Sequence, residues 1–397
     1  MAGLDIRSAL PRARMLASLR QLGVTDESVL AAMDAVPRHE FVDRFWTVSS
    51  SDTRAPGRTR QCRLAEDCAD GVLEAVYDPQ SAILIRAGGA GATSSLSAPV
   101  IVGLMLAEMQ LTPGLRVLEI GTGSGYNAAL LAHLLGQATL VTTMDVDPEL
   151  IAPARQRLAR LGFDEVVVRC GDGADGAADR APFDRIAATV GCLDIAAAWV
   201  AQLADDGQLL VPLEHGAMHP RVLLRRSGDG EDLVGHFVGR SAFVRMQGSQ
   251  ADHPLWPADM PLPAAPNRAP LPRLLAEALD PDHPSPVPVQ RRPWDLSTYI
   301  GMRDRRALSG LALGNGTSMA FLRERTVAFE GPQGSALADR LVTLGCDWVG
   351  LGCPGLERYA LRFTPRQDGV TTMDSAGGPW TIDRIDYRQH VELLGPL

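Results

Sequence analysis

Between about residue 95 and residue 212 the chain alternates two kinds of apolar spacing. Ile101, Leu104, Met105 and Met109 recur at helical intervals and predict a helix that starts after Ser97-Ala98-Pro99. The run Arg116-Val117-Leu118-Glu119-Ile120 then reads as a short strand leading into a glycine-rich turn. The pattern continues with a helix over 127–135, a strand over 140–144, a helix over 148–161 and a strand over 166–168. It closes with a strand over 185–189, a helix around 195–203 and a strand over 208–212. Parallel strands need crossovers, usually helices, and those crossovers are right-handed. Strand and helix in alternation therefore predict a parallel sheet covered on both faces.

Outside this stretch the spacing changes. Residues 8–45 read as a helical lead-in carried by Leu16, Leu19, Leu22, Val29, Leu30 and Met33, with a stop at Val36-Pro37. Residues 47–72 lose periodicity and predict a mobile surface loop. Val222-Leu223-Leu224 and Leu233 to Val238 flank Ser227-Gly228-Asp229-Gly230, the pattern of a hairpin added as an antiparallel edge. Residues 250–293 hold twelve of the 28 prolines and predict a semi-rigid linker with one short helix at Leu274 to Leu279. Beyond it, Thr326 to Phe329 and Tyr359 to Phe363 read as strands and Ala336 to Leu344 as a helix. The expected division is a helical lead-in and loop (1–72), a domain carrying the chemistry (73–249), a proline-rich linker (250–295) and a smaller C-terminal α+β domain (296–397).

Composition narrows the chemistry. The 397 residues include no lysine, so all 38 basic residues are arginine. Codon usage in a GC-rich genome accounts for such an absence, and the exclusion it makes stands regardless. Pyridoxal-phosphate enzymes, Schiff-base aldolases and P-loop nucleotidases all require a lysine amine. A net charge of -9 argues against a nucleic-acid partner, whose binding rests on a basic face. The N-terminal residues lack the charged-then-apolar pattern of a signal peptide, and no apolar run approaches the roughly eighteen residues of a membrane span. A cytoplasmic protein without a membrane partner is expected. The six cysteines, at 62, 68, 170, 192, 346 and 353, show no zinc-ligand spacing and read as free thiols, with no metal site expected.

The central chemical signal is Glu119-Ile120-Gly121-Thr122-Gly123-Ser124-Gly125-Tyr126, at a strand-to-helix turn. Its glycines allow a tight turn and a close backbone approach to a ligand. A dinucleotide fingerprint would need glycine where Tyr126 stands. An acidic residue two positions before G-x-G-x-G is instead the pattern for S-adenosyl-L-methionine, whose near end is a cationic amino acid. Asp145, at the end of the next strand, is placed to accept hydrogen bonds from ribose hydroxyls, or else to cap the helix near Pro148. Asp172, in Cys170-Gly171-Asp172-Gly173, is placed to receive an adenine amino hydrogen, or else to close an Asx-turn.

At these residues the chain resembles the protein-L-isoaspartate O-methyltransferases. The resemblance runs from Val36-Pro37-Arg38-His39-Glu40-Phe41-Val42 to Phe243-Val244-Arg245-Met246, about half of the chain. It includes Tyr77-Asp78, Ser95-Leu96-Ser97-Ala98-Pro99, the glycine loop and Gly171-Asp172-Gly173. It implies a Rossmann-like adenosylmethionine-dependent methyltransferase sheet with an antiparallel edge. It implies that Glu119, Gly121, Thr122, Gly123, Asp145, Asp172 and Gly173, with Ser95 and Leu96, hold the cofactor. Ser97 would face the acceptor carboxylate, although Ser97 could also cap the following helix. The implied activity is methylation of an L-isoaspartyl or aspartyl carboxylate in a peptide or protein, giving an ester that can collapse to a succinimide.

A carboxylate acceptor also suits the residues at hand. It is already an anion at neutral pH and needs no general base, and no base constellation stands out. His215 and His219 fall in a turn, and His133 on an apolar helix reads as a packing residue. The doubled serine in Ser94-Ser95-Leu96-Ser97 and the region beyond 250 look more like longer relatives that modify ribosomal peptides. General protein repair, tailoring of one precursor peptide and non-catalytic cofactor binding therefore remain as three readings. Without lysine, docking of an acidic peptide would fall to arginine, with Arg86, Arg303, Arg305 and Arg306 as candidates.

Overall fold

The computed structural model describes residues 2–48, 59–64, 71–88, 91–216, 218–228, 230–256, 260, 266–280, 291–308, 311–323, 325–366 and 380–395. Most of the expected loop at 47–72, the tracts Pro261-Leu262-Pro263 and Pro284 to Pro288, and Cys68 lie outside the described residues. The chain forms two units, Met1–Val190 with Ala197–Leu210 and Val244–Gly248, and Gly191–Ala196 with Val211–Phe243 and Ser249–Leu397. The break at Gly248/Ser249 falls beside the expected 249/250 division, whereas Val211–Phe243 groups with the residues beyond it, because strands before and after the proline-rich stretch pair within one unit.

The first unit begins with helices α1 (Ala2–Gln21) and α2 (Glu27–Ala35), the latter capped by Asp26. Strands β1 (Arg44–Val48) and β2 (Thr59–Arg63), helix α3 (Val72–Val76), and strands β3 (Ile83–Gly88) and β4 (Gly91–Leu96) follow. These four strands form an antiparallel sheet in the order β2-β1-β3-β4. Helix α4 (Pro99–Glu108) leads to β5 (Val117–Ile120), whose residues are all buried, as expected of a strand covered on both faces. Then come α5 (Tyr126–Leu135), β6 (Val141–Asp145), α6 (Pro148–Arg160), β7 (Val167–Cys170), β8 (Phe183–Ala188), α7 (Ala197–Gln202) and β9 (Leu203–Pro212).

The strands β5 to β9 lie in the order β7-β6-β5-β8-β9, and every neighbouring pair is parallel. The predicted alternation is realised, with the last helix shorter and the last strand longer than the spacing suggested. The order reverses direction between β5 and β8. In an open α/β sheet this reversal opens a crevice beyond the strand C-termini, where ligands bind.

The second unit contains the predicted hairpin, β10 (Arg221–Arg226) with β11 (Leu233–Gly239), paired Val222 to Phe237 and Arg226 to Leu233. After β12 (Asn267–Pro270), α8 (Arg273–Leu279) and α9 (Arg292–Arg303) come β13 (Ala307–Leu308), β14 (Ala312–Gly314), β15 (Met319–Arg323) and β16 (Thr326–Glu330). Helix α10 (Gly334–Gly350) precedes β17 (Tyr359–Pro365), β18 (Trp380–Asp383) and β19 (Tyr387–Leu393). Strands β10, β11, β17, β19 and β18 are antiparallel neighbours in that order. Strands β12, β16, β15, β14 and β13 form a separate antiparallel sheet. On α10, Leu337, Ala338, Leu341, Leu344, Gly345 and Trp348 recur at helical spacing and are buried. No helix among the described residues is long and apolar enough to cross a membrane.

Candidate active site

The first unit's chemistry gathers beyond the ends of β5, β6, β7 and β8. After Ile120 the chain turns through Gly121, Gly123 and Gly125, with φ of 104°, 51° and 89°. At Gly121 a side chain is excluded twice, by this left-handed backbone and by space, since a Cβ would lie 2.6 Å from Thr189 Oγ1. The Thr189 hydroxyl, just past β8, donates to the carbonyls of Ile120 (3.0 Å) and Gly121 (2.8 Å) and pins the first peptide of the loop.

Asp145 ends β6 and faces this loop. Its Oδ2 accepts the Gly123 N–H at 2.8 Å and its Oδ1 the Asp147 N–H at 3.1 Å. Burial raises its carboxyl above the ordinary carboxylate range, against these hydrogen bonds. Capping of α6 falls instead to Asp147, which accepts the Glu149 N–H. Behind the loop, Glu119 is fully buried. Asn127 donates to its Oε1 (2.8 Å) and Thr143 to its Oε2 (2.6 Å), while the hydroxyls of Thr122 and Thr143 lie 2.8 Å apart. Burial pushes the Glu119 carboxyl up to about 7.

Asp172 joins the same group through its chain neighbour, because the Gly171 N–H donates to the Asp145 carbonyl at 3.0 Å. Its carboxylate accepts the Ala174 N–H, so the Asx-turn forms. Gly248 approaches so closely that a Cβ there would lie 2.8 Å from this carboxylate. Gly173 is buried, and its carbonyl accepts the Trp199 indole N–H at 2.7 Å.

The Ser94–Ser97 segment supplies the other wall. Ser94 and Leu96 are buried, Ser95 and Ser97 half-buried. A Cβ built on Gly123 would lie 3.7 Å from Ser94 Oγ, so this segment lies against the glycine loop. Ser97 does not cap α4: the N-cap position is Ala98, without a side-chain bond. Arg38, fully buried, donates from Nη2 to the carbonyls of Leu96 (3.3 Å) and Ser97 (2.7 Å) and from Nε to that of Val76 (2.7 Å).

The family model of protein-L-isoaspartate(D-aspartate) O-methyltransferases matches residues 75–251. The chain is 35% identical over 216 residues to the protein-L-isoaspartate O-methyltransferase of Methanocella arvoryzae, covering 54% of this chain and 96% of that protein. It is 37% identical over 157 residues to the enzyme of that name from Fervidobacterium nodosum, covering 40% of this chain and 78% of the other. This chain belongs to the protein-L-isoaspartate O-methyltransferase family. A solved structure titled protein-L-isoaspartate O-methyltransferase superposes with a TM-score of 0.51 at 22% identity, covering 88% of this chain and 96% of its own, and shares the fold. The shared fold extends into the C-terminal half of the chain.

The candidate docking arginines are already engaged. Arg86 pairs with Asp147 (2.7 Å) and Glu149 (2.8 Å) beside α6. In the second unit Arg303 lies over the Trp380 ring at 4.9 Å, Arg305 donates to the Asp383 carbonyl, and Arg306 pairs with Asp304 at 2.7 Å. An acidic peptide docking on any of the four would therefore have to compete with these intramolecular contacts. His133 is exposed, not packed as its apolar helix suggested. His215 is buried, and burial holds its imidazole well below the usual pKa. Thr189 and Gly248 carry no local signature in the sequence, and Arg38 stands out there only as part of a motif. The Arg-His-Glu-Phe-Val signature was the available signal for Arg38, whereas isolated threonines and glycines carry none.

Proposed function

We propose that this enzyme transfers a methyl group from S-adenosyl-L-methionine to the side-chain carboxylate of an L-isoaspartyl or aspartyl residue in a peptide or protein. The observation that carries this reading is the meeting of the glycine loop with Asp145 on one side and the Ser94–Ser97 segment on the other. The residues present fit the cofactor: carboxylates at 145 and 172 suit ribose hydroxyls and an adenine amino group, and the loop backbone needs no amine. When bound, the cofactor supplies an electrophilic sulfonium methyl. Asp145, Asp172 and the loop from Gly121 to Gly123 would hold it, with Glu119, Thr122 and Gly173 setting that loop and turn and Ser95 and Leu96 facing it. Ser97 orients the acceptor, whose carboxylate oxygen forms the new bond to carbon without a general base. The enzyme's contribution is alignment, which can supply on the order of 7–11 kcal/mol. The neutral ester then presents a better leaving group, and attack by the following backbone nitrogen expels methanol to give a succinimide.

The test is mass spectrometry after incubation with adenosylmethionine and either an isoaspartyl peptide or the aspartyl peptide of the same sequence. One added methyl on the isoaspartyl peptide, followed by methanol loss, supports the proposal. With a precursor peptide encoded beside the gene as a third arm, turnover confined to it would turn the reading to dedicated tailoring, and cofactor binding without turnover on any of the three would reduce it to a binding protein. Asp145→Ala should abolish cofactor binding by calorimetry; retained affinity would remove Asp145 from the site.

A further inference from the structure

Arg38 makes an arrangement that the reaction as described leaves unused. It opens a short turn (Arg38–Phe41), is fully buried, and forms no ion pair among the described residues. Its Nε and Nη2 donate to three carbonyls: Val76 at the end of α3, Leu96 at the end of β4, and Ser97 at the acceptor segment. Its guanidinium carbon lies 5.3 Å from the ring centroid of Tyr126, the first residue of α5 after the glycine loop. Burial lowers its pKa only to about 10, so it stays charged at neutral pH. Burying a cation without an anion costs free energy. A planar fork, however, fixes acceptors in direction as well as distance, which an ammonium on a flexible stem does not.

We propose that Arg38 is a positioning residue for methyl transfer, holding the Leu96-Ser97 backbone in register with the helix that begins behind the cofactor loop. One side chain grips the acceptor segment through its carbonyls and the cofactor side through the face of Tyr126. Release of that grip lets the two halves of the site drift, and a misplacement of about 1 Å can cost on the order of 100-fold in rate.

The proposal rests on the methyltransferase reading, so the wild-type enzyme is first shown to methylate an isoaspartyl peptide; inactivity there defeats the function, not the role of Arg38. Arg38→Lys keeps the charge and loses the fork, and Arg38→Met loses both. Each is measured at a temperature where circular dichroism shows it folded. The expected result is a fall in kcat of about 10- to 100-fold, with the adenosylmethionine Kd within about threefold of wild type. A kcat within twofold of wild type in either folded variant overturns the proposal, as does equal loss of cofactor affinity and rate. Should neither variant fold, Tyr126→Leu removes the ring under the guanidinium while leaving its carbonyl bonds, and an unchanged kcat there overturns the coupling.

Discussion

Single side chains in this site are set by what surrounds them. Glu119 shows it: the motif makes it acidic, but burial decides its proton affinity. An ordinary glutamyl carboxyl titrates near 4.5, and here burial pushes it up to about 7. Between those values the folded chain holds a proton that the unfolded chain has lost. Its contribution to stability is therefore fully present below about 4.5 and declines as pH rises toward 7, by about 3 kcal/mol in total. Glu119→Gln removes this dependence. The variant should melt above wild type at pH 8, with the gap closing near pH 4.5; a gap independent of pH would contradict the assignment. Asp145 was legible because it ends a strand at a known distance from the glycine loop. Thr189 was not, because its contacts with Ile120 and Gly121 span nearly seventy positions and no local pattern marks them.

At the scale of elements, the loop between β5 and α5 depends on both its own glycines and a neighbouring strand end. Gly121→Ala imposes a left-handed backbone on a residue with a Cβ, at about 1–2 kcal/mol, and drives that Cβ into Thr189 Oγ1. The loop must shift, so adenosylmethionine affinity should fall by at least about tenfold; calorimetry giving wild-type affinity would show that the loop tolerates the methyl. The parallel strands were readable because short apolar or β-branched segments alternate with helical spacing, even though Glu119 in β5 and Thr142-Thr143 in β6 interrupt the apolar runs. The antiparallel sheet β2-β1-β3-β4 was not. Thr59-Arg60-Gln61-Cys62-Arg63 and Gly91-Ala92-Thr93-Ser94-Ser95-Leu96 lack both an apolar run and clean alternation, and only cross-strand pairing makes them strands.

At the scale of the whole molecule, the second unit is closed by its last residues. Fully buried Arg384 donates to the carbonyls of Leu193 (2.5 Å) and Glu214 (3.1 Å), while Asp194 accepts the N–H groups of Asp386 and Tyr387. Strand β17 also covers β11, pairing Leu233 with Phe363. A chain ending at residue 249 loses all of these partners. It should aggregate or melt at least about 10 °C lower than the full chain, and a fragment melting with the full chain would show the remainder to be dispensable. Local spacing along the chain is enough to set the parallel α/β core, the glycine loop and the carboxylates at its strand ends. Tertiary structure alone decided the buried state of Glu119, the engagement of Arg86 and Arg305, the grip of Arg38 on the acceptor segment, and the joining of the C-terminal strands to the hairpin. Each of these depends on residues far apart in the chain, and their free energy arises only when folding removes them together from water.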